Sequence, residues 1–418
     1  MEQPRIVTVG GNPLNGEIEI EGAKNFALNL PLTILAPGSY RIAGVPKLVD
    51  MRVCLEILGE LGARYEWENG ELNLDTSDLR SARPSDELAS RMRASILCMG
   101  PLLARLGEAV LPLPGGCTIG ARPIDYHIKG FRAMNCQVKI YHGAVWARTS
   151  GLRGAEISFD FPSVGATENL MMAATVAEGE TVINNAAQEP EVTGLARILK
   201  QMGAEIEGEG TSRLSIRGVK ELRPIDFSIL PDRIVAGTFL LGVAATGGDV
   251  KLRNIQPEFI MSAVSKLKSM GAEIEIGKDF LRVMGEGGLS GAEVMTAPYP
   301  GFPTDLQAQM MTLLSVCKGK SQVTETVFEN RFLHVDELNK MGAEIKVKGS
   351  TARINGVSRL SGASVRGKDL RATAGLVIAG LVAEGESTIY GMNDLDRGYV
   401  DFAGKLAALG ADLKRIDP

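Results

Sequence analysis

The stretch LEILGELGARYE, residues 55–66, decides the fold because it recurs. ARILKQMGAEIE stands at 196–207, VSKLKSMGAEIE at 264–275, VDELNKMGAEIK at 335–346 and AGKLAALGADLK at 403–414. Each copy spaces its apolar residues as a helix does, passes through Leu or Met and a Gly-Ala pair, then alternates as a strand does. A sixth copy, IKGFRAMNCQVK at 128–139, carries Asn135-Cys136 in place of Gly-Ala. Glycine lacks a Cβ and takes the left-handed conformation that ends a helix; Asn is the next-best residue there. The pattern predicts a helix, a left-handed cap and an immediate strand, six times over.

The cap residues are Gly62, Asn135, Gly203, Gly271, Gly342 and Gly410, with gaps of 73, 68, 68, 71 and 68 residues, so six units tile the chain. A second segment, more apolar, accompanies the first: NLMMAATVAEGETVI from Asn169, GTFLLGVAATGGDVKL from Gly237 and GLVIAGLVAEGESTIY from Gly375. A helix that is apolar nearly all round is a buried helix. The repeat is too long for a short-repeat solenoid, and 418 residues suit two globular domains of three units each. Repetition of this kind implies an α/β fold and no function.

Composition narrows the function. Hydrophobic residues make up 44% and charged residues 23%, as in ordinary soluble proteins, and aromatics at 5% leave the core to aliphatic side chains. A net charge of −5 argues against a nucleic-acid partner, which would need a basic face. The cysteines, Cys54, Cys98, Cys117, Cys136 and Cys317, are odd in number and scattered, which fits a reducing cytosol. Three histidines without a Cys/His cluster predict no metal site, and no cofactor is expected. The N-terminal residues do not read as a signal peptide, and apolar runs such as Phe239 to Ala245 are far short of a membrane span, so a cytoplasmic location is expected.

Function is expected where the units break their own pattern. PLPGGCTIGARPID, residues 112–125, is too rich in Gly and Pro for a helix or central strand and reads as a long surface loop. It holds Cys117, with Arg122 five residues on. Flanking glycines and a nearby guanidinium favour a reactive thiolate, although most free cysteines are small buried hydrophobes. GAKN at 22–25 places Lys24 and Asn25 at a helix start, where backbone N–H groups favour anions; a solvated Lys24 is the plain alternative. APYPGFPTDLQAQ at 297–309 presents Asp305 either as a helix cap or as a general base. Arg331, Arg371 and Arg397 fall in irregular segments of an acidic chain, a pattern suited to binding a multiply charged anion.

Ten motifs carry a resemblance over the full length: GAKN at 22–25, MRAS at 92–95, PGGCTIGARP at 114–123, SVGAT at 163–167 and EPE at 189–191, then PDRI at 231–234, FPTD at 302–305, ETVFENRF at 325–332, DLRA at 369–372 and DRGY at 396–399. In these the chain resembles the enolpyruvyl transferase family. The resemblance implies a two-domain inverse α/β barrel, or prism, of six βαβαββ repeats, three per domain, with the active site in the interdomain cleft. It implies one domain over residues 22–230 and another formed by 1–21 with 231–418. It further implies transfer of the enolpyruvyl group of phosphoenolpyruvate to the 3′-hydroxyl of UDP-N-acetylglucosamine, with release of phosphate, at the start of peptidoglycan precursor synthesis.

Roles follow from the same resemblance. Lys24, Asn25, Arg122, Arg331, Arg371 and Arg397 would hold phosphoenolpyruvate. Asn25, Arg93, Arg122, Pro123, Ile124, Asp125, Tyr126, Ser163, Val164, Asp305 and Val327 would hold the UDP-sugar. Cys117 would donate a proton and can add covalently to the pyruvyl carbon; it would also be the target of a small phosphonate epoxide. Asp305 would take the proton of the sugar hydroxyl, with Lys24 and Arg397 also catalytic and Glu189, Asp232 and Asp369 in support. Val49, Gly194, Val235 and Asp394 depart from residues common in the family (Lys, Asp, Glu and His), as does Phe161-Pro162. Two other readings stay open: a different acceptor alcohol, or a weak paralogue that binds UDP-sugar and regulates a protein partner, which the sequence does not identify.

Overall fold

The chain's left-handed caps anchor the architecture. In the structure, a computed structural model, the six cap residues all have positive φ: 116° at Gly62, 68° at Asn135, 111° at Gly203, 104° at Gly271, 89° at Gly342 and 96° at Gly410. Asn135 thus does what glycine does in the other units. Residues 3–68, 70–113, 124–285 and 288–417 are described. Of these, the residues up to Glu21 and from Pro231 onward form one compact unit, and those from Gly22 to Leu230 form the other.

The sheets repeat one plan. In five of them a central strand pairs parallel with one neighbour and antiparallel with another, which pairs antiparallel with an edge strand. Another, formed by Glu108–Pro112, Ala144–Arg148 and Gln137–Tyr141, has three antiparallel strands among the described residues, and Leu360–Ser361 pairs parallel with Ala383–Glu384 in a two-stranded sheet. Chain order breaks in two sheets of the first unit. Arg5–Val9 lies between Glu386–Tyr390 and Asp412–Ile416, antiparallel to both, with Arg5 opposite Tyr390 and Ile416. Leu14–Glu19 runs parallel to Gly248–Arg253. In the other unit, Phe227–Ser228 runs parallel to Ser39–Ala43.

The sheets enclose the apolar helices. In the first unit Arg233–Thr246, Gln307–Ser315 and Leu370–Val382 pack on one another, and Arg371 through Leu381 are all buried. In the second, Met99–Leu106 packs against Val164–Ala174 and the 3-10 turn Leu30–Ile34. Close approach explains one glycine: a Cβ on Gly100 would lie 2.3 Å from the carbonyl oxygen of Asn169. Among the described residues no helix is long and apolar enough to cross a membrane, and no group of three His, Cys, Asp or Glu could hold a metal ion.

Candidate active site

The second unit brings several predicted residues onto helix starts. Lys24 opens the short helix Lys24–Ala27, with Asn25 next to it and half-buried. Lys24 is not solvated: it is 7% exposed, and its Nζ lies 2.8 Å from Oδ2 of Asp50, itself buried on Val49–Leu61. A buried ammonium needs a counter-charge, and Asp50, unremarked in the sequence, supplies it. Gly194 has a reason of its own. A Cβ there would come 2.8 Å from the Phe26 ring and 2.7 Å from Leu230, so the Asp expected at this position would have to push those side chains aside, and Phe26 lies on the helix that carries Lys24.

Asn169 ties Arg93 to the Asp125 helix. Its Nδ2 donates to the Ile96 carbonyl at 2.8 Å and to Nδ1 of His127 at 3.0 Å, while its Oδ1 accepts from the Gly100 amide at 2.7 Å. Ile96 lies in the turn Arg93–Cys98, and His127 in Asp125–Ala133. An amide nitrogen can only donate, so Nδ1 of His127 accepts and the ring's proton sits on Nε2. Burial, with the Arg93 charge adding to it, lowers the His127 pKa to about 4, so the ring is neutral at pH 7. Asp125, Tyr126 and Ile124 stand half-buried beside it. The Tyr126 oxygen accepts from the Phe161 amide at 3.1 Å and its ring packs against Phe159, which fixes the approach to Ser163. Ser163 caps Val164–Ala174 by accepting from the Ala166 amide.

Glu168, on the same helix, is fully buried and accepts from Asn29 at 2.8 Å. Burial raises its pKa to about 8 despite that bond, with Glu191 and Glu189 adding to the rise. From about 4.5 to about 8 the folded chain keeps a proton that the unfolded chain releases. This contribution to stability is therefore complete at low pH and is lost as pH rises through 8. Glu168→Gln should flatten that slope, at most about 1.4 kcal/mol per pH unit, in urea midpoints measured between pH 5 and pH 8.5.

The first unit holds the arginine cluster. Asp305 lies in the 3-10 turn Thr304–Leu306 and caps nothing: the following helix, Gln307–Ser315, has Leu306 at its N-cap with no side-chain bond. Its carboxylate instead accepts from Arg331 at 2.8 Å on Oδ1 and from Arg371 at 3.2 Å on Oδ2. Both arginines are buried, at 5% and 3% exposed. Burial opposes the Arg371 charge, but Tyr399, Asp305 and Asp232 more than offset it, so the guanidinium stays charged. Among the described residues its Nε and Nη1 are buried without a hydrogen-bond acceptor, two nitrogens whose N–H bonds suit an anion.

Carboxylates orient this cluster from behind. Glu325, 3% exposed, accepts from Thr296 and Thr304 hydroxyls and from the Val327 and Phe328 amides, so one side chain fixes both the Val327 turn and Thr304. Thr304 in turn accepts from Arg331 at 3.1 Å. Asp369 caps Leu370–Val382 through the Arg371 and Ala372 amides, and Asp232 caps Arg233–Thr246 through the Ile234 and Val235 amides. Arg397 follows the turn Met392–Leu395, where burial raises the pKa of Asp394 against the Arg397 charge. Val49 is exposed at its helix start and Val235 is buried. Cys117, Arg122 and Pro123 lie outside the described residues.

The family model for EPSP synthase (3-phosphoshikimate 1-carboxyvinyltransferase) matches residues 8–406. The chain belongs to this enolpyruvyl transferase family. It is 49% identical over 415 residues to UDP-N-acetylglucosamine 1-carboxyvinyltransferase 2 of Carboxydothermus hydrogenoformans, covering 99% of both chains. It is 46% identical over 413 residues to UDP-N-acetylglucosamine 1-carboxyvinyltransferase of Geotalea uraniireducens, again over 99% of each. Among solved structures it is similar to the enolpyruvyl transferase NikO of Streptomyces tendae, at a TM-score of 0.90 and 23% identity over the whole of both chains. It is also similar to EPSP synthase of Acinetobacter baumannii, at 0.78 and 20% over 99% of this chain and 100% of that one. At these identities the solved structures establish the fold, the two-domain prism of six repeats.

Proposed function

We propose that the chain transfers the enolpyruvyl group of phosphoenolpyruvate to the 3′-hydroxyl of UDP-N-acetylglucosamine and releases phosphate, opening peptidoglycan precursor synthesis. The near-full-length identity to curated transferases of that name carries the reading. The Asp305 cluster supports it chemically. Phosphoenolpyruvate brings about three negative charges, and Arg331 and Arg371 offer two buried guanidinium groups, Arg371 with nitrogens that find no acceptor among the described residues. Lys24, Asn25, Arg122 and Arg397 complete the binding of that anion. Arg93, the stretch from Arg122 to Tyr126, Ser163, Val164 and Val327 hold the nucleotide sugar.

Adding an alcohol across the enol needs a base at the hydroxyl and an acid at C3. Asp305 takes the hydroxyl proton as the sugar oxygen bonds to C2, and Cys117 delivers a proton to C3. The tetrahedral adduct then loses a C3 proton and expels phosphate, which restores the double bond in the product. Bond making and breaking balance without a redox partner. The assay follows inorganic phosphate with both substrates, with each alone, and with shikimate 3-phosphate as acceptor. Release only in the presence of UDP-N-acetylglucosamine is expected. Release with the shikimate acceptor alone would reassign the substrate, and none with either would leave a binding protein.

A further inference from the structure

We propose that Gln309 and Tyr399 are positioning residues for this reaction, holding Asp305, Arg371 and Arg397 in one arrangement; the inference rests on the transferase reading above. Gln309 is fully buried on Gln307–Ser315. Its Nε2 donates to the Asp305 main-chain carbonyl at 3.1 Å and to the Tyr399 hydroxyl at 3.1 Å, with Thr238 Oγ1 3.0 Å away. A carbonyl only accepts, so the amide nitrogen must face Asp305. The Thr238 hydroxyl donates to the Ile234 carbonyl at 2.8 Å. With that hydrogen committed, Tyr399 donates to Thr238 at 3.0 Å and accepts from Gln309. One directed chain therefore runs from Gln309 through Tyr399 and Thr238 to the main chain of Arg233–Thr246, and bonds in such a chain strengthen one another.

Three predicted groups in this unit touch the chain or adjoin it. Asp305 is held through its main-chain carbonyl, so its backbone is fixed without using the carboxylate, which Arg331 and Arg371 engage. The Arg371 guanidinium lies 5.2 Å over the Tyr399 ring and reaches Asp305 from there. Arg397 sits two residues before Tyr399, and on its other side Asp396 accepts a two-pronged bond from Arg415 at 2.6 and 2.7 Å. The Arg397 turn is thus pinned at both ends. A base and an anion-binding arginine misplaced by about 1 Å can lower a rate about 10²-fold without abolishing binding.

The test compares Gln309→Met and Tyr399→Phe with Thr312→Val in the full chain. Thr312 is a fully buried hydroxyl on the same helix that bonds to the Ala308 and Gly375 carbonyls and lies outside the chain of bonds. Gln309→Met should lower kcat about 10–100-fold and Tyr399→Phe about tenfold, each with KM within about threefold. Thr312→Val should keep kcat within about twofold despite a similar fall in melting temperature. Hydrogen exchange at the Leu306 and Gln307 amides needs no substrate and should quicken about tenfold in Gln309→Met but not in Thr312→Val. Wild-type turnover tests the transferase reading, and the exchange contrast tests the positioning role whatever that turnover shows. Equal kcat in all three variants, or unchanged exchange at Leu306 and Gln307 in Gln309→Met, overturns the proposal.

Discussion

Asp305→Asn is expected to lower turnover about 10²–10⁴-fold, the usual contribution of a general base, while inorganic phosphate binds more tightly than to the unaltered chain. Both effects come from one geometry. The carboxylate lies between Arg331 and Arg371 at 2.8 and 3.2 Å, so it serves as their counter-ion. An incoming anion must share those arginines with it. An amide of the same shape removes the charge and leaves the guanidinium groups to the anion. Asn is preferable to Ala, because stripping a partner from a buried ion pair typically costs about 3–5 kcal/mol and could unfold the turn. Steady-state rates and phosphate titration calorimetry check the two halves separately. Tighter phosphate with near wild-type turnover would leave Asp305 as an electrostatic spacer and assign the base elsewhere.

A phosphonate epoxide or iodoacetamide should modify Cys117 alone, and Cys117→Ser should lose most activity, since a hydroxyl is a far weaker acid than a thiol. The selectivity follows from the other four cysteines. Cys54, Cys98, Cys136 and Cys317 are at most 6% exposed. Burial pushes Cys54 and Cys317 up to about 12, Cys136 to about 11 and Cys98 well above its ordinary value. Near neutral pH such thiols hold about 10²–10³-fold less thiolate than an ordinary one, and reagents reach them only through unfolding. Intact mass followed by peptide mapping decides the point. Adducts spread over the buried four, or full activity in the Ser variant, would remove Cys117 from the mechanism.

Local rules carried much of the structure into the sequence. A cap residue is chosen by its own φ, so the six Gly and Asn positions could be read without knowing their neighbours. Helices apolar on every side could only be interior. Asp232 and Asp369, anticipated as supporting residues, act over two or three residues as N-caps. What stayed hidden depends on partners far along the chain. The choice between a solvated and an anion-binding Lys24 stayed open because Asp50 lies a whole sheet strand away in sequence, and the choice between cap and base for Asp305 stayed open because its arginines follow later. Asn169 and Gln309 carry no local signature: each is a polar residue on a mostly apolar helix, and its value comes from acceptors delivered by other units.

The strand Arg5–Val9 has a consequence for how the protein is made. It leaves the ribosome well before both its neighbours, Glu386–Tyr390 and Asp412–Ile416, which lie several hundred residues further along the chain. At about 5–20 residues per second the strand waits roughly 20–80 s for its partners. Throughout that time it presents unsatisfied main-chain groups on two edges, the condition under which nascent chains associate wrongly. The described residues from Gly22 to Leu230 form a compact unit of their own, so they can close while synthesis continues. The other unit reaches its native state only once Asp412–Ile416 has emerged. Ribosome-bound intermediates of this protein should thus carry one finished domain and a tethered, unpaired ribbon, and holdase chaperones should engage Arg5–Val9 first.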